Sequence, residues 1–397
     1  MSEGRKARLL HSLSEVSPVD WDACANPEGW PYNPFLSYDF LASLEESGSA
    51  CAETGWAPCH LVLEDEDGTI LGLIPMYLKS HSSGEYVFDQ SWAHALERAG
   101  GHYYPKLQVS IPFTPATGRR LLVKPGPDSA EIETQLVYAA IQAARQIDVS
   151  SLHMTFVEED QAARVKEAGL LERNDQQFHW RNDGYKTFDD FLASLSSRKR
   201  KNLKKERFQA LDNDIEIEWV TGKDLTEDHW DAFYEFYVDT GSRKWGQPYL
   251  TRSFFSMINE RLADHTLLIM CKRQGRYIAG ALNFIGGETL FGRHWGCIED
   301  HRFLHFEVCY YQSIDFAIEH GLKYVEAGAQ GQHKLARGYV PTKTRSLHWL
   351  ADPGFHDAVA DYLKSERQHV DHDIKYLETH IPFRKDPNIS DKTEETT

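Results

Sequence analysis

Two stretches of this chain repeat one order of elements, and that repetition constrains the fold more than any single residue. LVLEDEDGTILGLIPMYL followed by GEYVFDQSW matches LLIMCKRQGRYIAGALNFI followed by GETLFGRHW. In each, two apolar β-rich runs flank a glycine-bearing turn, the pattern of a hairpin, and a third strand-like run follows. Gly72 then corresponds to Gly280, Phe88 to Phe291 and Trp92 to Trp295. The order continues, because SAEIETQLVYAAIQAARQIDVSSLHMTFV and HFEVCYYQSIDFAIEHGLKYVEAGA each read as a helix and then a strand. A hairpin, strand, helix and strand occurring twice predict an internal duplication. The expected fold class is α+β: two like domains, each a mixed, twisted sheet flanked by helices.

A chain of 397 residues exceeds what one core usually serves, which agrees with two domains. We expect the first over residues 11–175, mainly scaffold, and the second over 176–382. Residues 1–10 read as a frayed basic end, and the polar stretch 383–397 as a disordered tail. QQFHWRN reads as a strand bridging the domains. Thr187 caps a following helix with Asp190 in the capping-box position. FHDAVADYLKSERQHVDHDIKYLETH predicts a long C-terminal helix.

Formal charge is −17, which argues against general coating of nucleic acid and gives no reason to expect DNA as a partner. Six cysteines form no CxxC pair, so a reducing cytoplasm is the expected compartment and a monomer the default state. The first residues hold no apolar core of a secretory signal. No run is long and apolar enough to span a membrane. There is no GxSxG elbow, no GxGxxG and no GxxxxGK, so nucleophile relays, nicotinamide dehydrogenases and P-loop ATPases are disfavoured.

The most chemically loaded stretch opens from the strand YVEAGAQGQHKLARGY. Gly328 and Gly331 permit sharp turns, and Gln330, Gln332, His333 and Lys334 crowd a strand end, where α/β sites are commonly built. Glu326 sits inside the apolar strand itself, and Arg337 and Lys343 add positive charge. His294, in GRHWG, is a second candidate, able to accept a proton from an attacking amine if neutral. Its bland alternative is core packing beside Trp295. His301, His305 and Glu307 lack HExxH order, so no metal is expected. Direct transfer to an amine needs only positioning, a route for the amine proton and donors facing the carbonyl oxygen. His294, Glu326, His333 and Lys334 are the candidates for that work, with the choice of base left open. SSRKRKNLKKERFQ carries seven basic residues and one acid, with Arg198, Lys201 and Lys205 on one helical face. It suits phosphates of a nucleotide-linked substrate or the end of an RNA, unless it is simply a solvated face. Gln330 and Arg337 join it as expected substrate-binding residues.

SSRKRKNLKKER, FYxFYxDTGxRKWGxPYL, HWGCIEDHRFLHFEVCYYQSIDFAIEHGL and EAGAQGQHKLARGYVPTKTRSLHW together resemble the FemAB-like predicted N-acyltransferases, also labelled peptidoglycan biosynthesis/recognition. The resemblance covers nearly the whole chain. It implies tandem GNAT-like domains in a bacterial cytoplasmic protein. It implies an acyl or aminoacyl donor, acyl-CoA or aminoacyl-tRNA, as a substrate rather than a tightly bound cofactor. The acceptor would be a small-molecule or peptide amine. The better-known relatives carry basic residues near the start of the second domain, close to a phosphate-bearing substrate or RNA. That pattern places Arg198, Arg200, Lys204 and Lys205 at the substrate. GNAT-like folds bind acyl-CoA through a glycine-rich turn before a helix, and RFLHFEV at the matching place has none. The competing expectation is a recognition protein that keeps the fold without catalysis. FDQSW has no His where FGRHW has His294, and LHMTFVEEDQ lacks the glycine-rich turn. The site is therefore expected in the second domain, facing the cleft, with the first copy as scaffold and one wall.

Overall fold

The computed structural model describes residues 4–244, 248–328 and 331–384. Its strands, in chain order, are β1 (Lys6–Leu10), β2 (Trp56–Pro58), β3 (His60–Glu64), β4 (Ile70–Ile74), β5 (Met76–Lys79), β6 (Lys106–Val109), β7 (Leu122–Val123) and β8 (Ser151–Thr155) in the first half. β9 (Leu171–Arg181) links the halves. The second half holds β10 (Ile215–Thr221), β11 (Thr266–Arg273), β12 (Arg276–Ile285), β13 (Thr289–Cys297), β14 (Tyr324–Glu326) and β15 (Val340–Leu350).

Both expected hairpins form, β3 with β4 and β11 with β12. Each carries a register shift next to its turn, at Leu63/Glu64 and at Cys271/Lys272, but Gly72 pairs the residue just before the shift whereas Gly280 pairs Met270, one residue further from it. Pro75 lacks the N–H that a continuous strand needs. The chain breaks there, so β4 lies in a four-stranded sheet (β1-β3-β4-β7) and β5 joins a sheet of eleven strands.

The duplication persists beyond the hairpins. β6 pairs β8 in parallel across the helix Ser129–Gln146, and β13 pairs β14 in parallel across the helical stretch Leu304–Glu319. Parallel neighbours need such a crossover. The third run of the first copy, however, is not a strand. EYVFDQSW is a loop entering the helix Gln90–Arg98, which carries Trp92, so neither Phe88 nor Trp92 is a counterpart of Phe291 or Trp295. The counterpart of β13 by pairing is β6. Residues 6–10, expected to fray, are β1 instead, paired along β3. Arg8 makes an ion pair with Glu64 at 2.8 Å.

The halves exchange their last strands. The large sheet runs β10-β11-β12-β13-β14-β9-β15-β8-β6-β5-β2. β9, from the first half, pairs β14, while β15, from the second, pairs β8. β9 and β15 also pair with each other from Val340↔His179 to His348↔Leu171. Phe178 and Trp180 of β9 are thus buried in the second core, and Leu347 and Trp349 of β15 in the first. Residue 175 lies inside β9. A third core spans both halves, where the Phe35 ring meets Phe284 and Phe291 at 5.2 and 5.1 Å. Phe383 and Arg384 lie within the described chain, where Arg384 N–H donates to the Ser194 carbonyl at 2.9 Å. The rest of the expected tail lies outside the described residues.

Candidate active site at the parting of two strands

β13 and β14 share only three pairs, ending at Phe291↔Glu326. Beyond that rung β13 runs on to Cys297, whereas the other chain turns at Gly328, whose φ of +75° suits glycine. The parted strands open a cavity of about 110 Å³, lined among others by Gly292, Arg293, His294, Trp295, Cys309 and Tyr310.

A bulge aims the side chains. Leu282 pairs His294 and Asn283 pairs Gly292, so Arg293 is an extra residue on β13. A bulge breaks alternation and re-aims its neighbours. His294 therefore falls on the face of the helix Glu227–Lys244, where its ring meets Tyr237 edge-on at 5.0 Å. Trp295 falls on the other face, 5.4 Å from His305. The alternative of a His294–Trp295 core stack is not what forms. Two residues on, Gly296 lets the strand touch that helix, because a Cβ there would sit 2.3 Å from the Phe236 carbonyl oxygen.

Glu326 lies on the same rung as Phe291 and His179. Burial pushes its carboxyl up to about 8, against the opposing pull of Arg293 and Arg120. His179 Nδ1 stands 3.9 Å from it, and burial holds that imidazole down, to about 4, with Lys334 adding to the effect. His294 is held neutral: burial and then Arg293 lower it to about 3. A group so weakly basic is a poorer acceptor of an amine proton near neutral pH than Glu326.

Lys334 lies within the turn Gln332–Arg337, 1 % exposed, with Nζ donating to the Gly328 carbonyl at 2.9 Å. Burial first, and then the like charge of Arg293, bring it down to about 8. His333 is exposed, its Nε2 2.9 Å from the Tyr310 hydroxyl. Gln330 lies outside the described residues.

Arg337, expected among the substrate-binding residues, is held within the protein. It is buried against the Phe306 ring at 3.4 Å and donates to the His333 carbonyl at 2.7 Å and to Glu206 at 2.9 Å. Glu206 also accepts from the Tyr311 hydroxyl. This clamp seats the basic helix Ser197–Ala210 beside the turn bearing Lys334. Arg198, Lys201 and Lys205 lie on its exposed face, Arg200 is half-buried, and Lys204 is tied at the surface to Asp189 at 3.0 Å.

The helical stretch below the cavity begins Leu304–Phe306 and passes through a π-helical turn, Glu307–Tyr311. Glu307 is 1 % exposed and holds Arg207 of the basic helix at 2.8 Å. The protein's own carboxylate therefore occupies the place where an N-terminal anion cradle would be read.

Sequence reasoning missed Arg293, Arg120, His179 and Arg207. Three of them carried a signal: GRHW, GRRLLV and QFHWR each place a cationic or titratable residue within an apolar β-run. Arg207 was hidden inside a run of like charges.

Among solved structures, the chain is similar to FemX, at 13 % identity and a TM-score of 0.55, over 89 % of this chain and 100 % of that one. It is also similar to the C-terminal domain of a putative lysylphosphatidylglycerol synthetase from Agrobacterium fabrum, at 10 % identity and a TM-score of 0.52, over 88 % and 96 % respectively. These likenesses agree with the fold of tandem GNAT-like domains. No curated protein matches the chain. The sequence profile of the FemAB-like family, described as peptidoglycan biosynthesis/recognition, matches residues 12–385, and the chain belongs to that family.

Proposed function

We propose that this protein is an N-acyltransferase that moves an acyl or aminoacyl group directly onto an amine, in the cleft where β13 and β14 part. The observation that carries the reading is a half-buried carboxyl and a buried ammonium, Glu326 and Lys334, on the strand and the turn next to that opening, both brought to about 8. Perturbed groups converging on a cleft mark functional sites. In this reading the amine nitrogen attacks the donor carbonyl and a C–N bond forms. Glu326 takes the amine proton, and Lys334 Nζ stabilises the oxyanion of the tetrahedral intermediate. As the intermediate collapses, the C–O or C–S bond to the donor breaks. The leaving oxygen or sulfur receives the proton from Glu326. His294, held neutral, orients the substrate by hydrogen bonding, and His333 with Tyr310 closes the outer side.

Between the two donors we favour an aminoacyl-tRNA. Glu307 and Arg207 fill the helix start that a CoA pyrophosphate would use, and the exposed stripe Arg198, Lys201 and Lys205 suits a polyanion. Incubating the purified chain with a radiolabelled aminoacyl-tRNA or acyl-CoA and a panel of amines tests the choice. Transfer from the tRNA, without binding of CoA, is the expected outcome. Tight CoA binding would reverse the donor assignment. No transfer from either donor would favour a recognition protein that kept the fold.

A further inference from the structure

Two arginines act on Glu326, the half-buried Arg293 and the buried Arg120, with the buried Lys334 acting on Arg293 in turn, and the hydrogen bonds described for the three end on neutral oxygens. Arg293 Nη2 donates to the Phe113 carbonyl at 2.6 Å. Arg120 donates to the carbonyls of Thr155, Arg119 and Ala116 at 2.9, 3.1 and 2.7 Å. Lys334 donates to the Gly328 carbonyl, one bond for a group that has three donors. Arg293 and Arg120 act electrostatically on Glu326, Glu158 acts on Arg120 ahead of Glu326, and Cys309 and then Arg293 act on Lys334. Among the described residues no ion pair within 4.0 Å joins a carboxylate to any of the three cations.

The rest of the protein treats buried cations differently. Lys106 is held by both Glu85 and Asp89, and Arg207 by both Glu307 and Asp315. A desolvated charge is costly unless it is closely paired, so Arg293, which lines the cavity with no carboxylate within 4.0 Å among the described residues, calls for an anion.

The first half builds part of this place. Phe113, whose carbonyl holds Arg293, and Tyr86 in the neighbouring loop have φ of +58° and +60°. Bulky side chains in the left-handed region are outliers, and such strain gathers at ligand clamps. Both loops are tied together, Phe113 N–H donating to the Gly84 carbonyl at 3.2 Å. Neighbouring Ser82 and Glu85 are bound by Lys106 at 2.8 and 2.7 Å. Arg293 is therefore aimed by its partner half, not left to its own strand.

We propose that the cleft recognises its amine substrate through a carboxylate on that substrate, bound by Arg293. The substrate class is an amino acid or short peptide with a free carboxylate near the reacting amine. The proposal rests on the transfer reading and names its acceptor. A cavity of about 110 Å³ has room for a carboxylate and the few atoms that carry it, not for a nucleotide.

Calorimetric titration of the full chain, with no donor present, tests this without turnover. The probes are glycylglycine, its C-terminal amide and inorganic phosphate, on wild type, Arg293→Gln and Arg293→Lys. Glycylglycine is expected to bind. Amidation, or Arg293→Gln, should weaken it about tenfold to a hundredfold, the range for a charged hydrogen bond. Arg293→Lys should recover part of the loss. Equal binding of the amide overturns the proposal, as does tighter binding of phosphate that displaces the dipeptide, or no binding of any probe. The amide comparison needs no variant, so a misfolded Arg293→Gln leaves the test intact. Carboxylate-dependent binding in a protein that transfers nothing would sink the transfer reading alone.

Discussion

A carboxyl between two guanidiniums would ordinarily be drawn down, yet burial outweighs both arginines at Glu326 and leaves it near 8. Desolvation wins because neither arginine reaches hydrogen-bonding range, so the Coulomb gain is diluted while the loss of water is not. The consequence for stability has a definite sign. Between the ordinary value of 4.5 and about 8, the folded chain keeps a proton that the unfolded chain releases. Stability is therefore fully present below that range and falls as pH rises through it. Glu326→Gln should remove this decline, so at pH 8 the variant should melt a few degrees above wild type, whereas at pH 4 the two should coincide. Differential scanning fluorimetry across pH reads it, and a wild-type advantage at pH 8 would contradict the assignment. In the proposed mechanism Glu326 must be ionised and Lys334 protonated, and both titrate at about 8. The transfer rate should then follow a narrow bell centred near pH 8.

Elements set which residues can meet. The bulge at Arg293 is the clearest case: one extra residue in β13 puts His294 on the helix face and Trp295 on the other. Nothing in FGRHWG announces a bulge, which is why the sequence alone left His294 open between site and core. The strand end bearing Glu326 and Lys334 was legible, because a carboxylate within an apolar run and close glycines are local signals. The role of Arg337 was not, since it depends on the basic helix docking against the turn 332–337, a contact between segments far apart in sequence. Breaking that clamp with Arg337→Met leaves Glu206 half-buried beside Tyr311 without its cation. A loss of about 2–4 kcal/mol in urea unfolding is expected, with an intact fold at low denaturant. On the exposed face of the same helix, reversing Arg198, Lys201 and Lys205 to Glu should abolish aminoacyl-tRNA binding without changing melting. The slope of affinity against salt should fall as those contacts go. Lys204→Ala, which only frees Asp189, should change little.

At the scale of the whole molecule, the exchange of β9 and β15 makes each half depend on the other. Helices, hairpins and the duplication itself were readable from periodicity and turn residues. The exchange was only hinted at by QQFHWRN, because strand pairing across the chain leaves no local trace. Its physical content is that Phe178 and Trp180 complete one core while Leu347 and Trp349 complete the other. Residues 4–181 and 182–384 expressed apart should each fail to fold, and the full chain should unfold in a single calorimetric transition. Two separate transitions would mean the shared sheet couples the halves weakly. The exchange also brings Glu326, His179 and Val340, from three separate segments, onto one rung of the sheet.

The measurement that bears most directly on the account is single-turnover transfer of a labelled aminoacyl group from tRNA to a carboxylate-bearing amine. It compares wild type with Glu326→Gln from pH 6 to pH 9.5. The wild-type rate is expected to peak near pH 8. Glu326→Gln should be slower by at least about a hundredfold, the usual range for a lost general base, and should lack the rise on the acid side. A variant that transfers as fast as wild type, with the same pH profile, would contradict it.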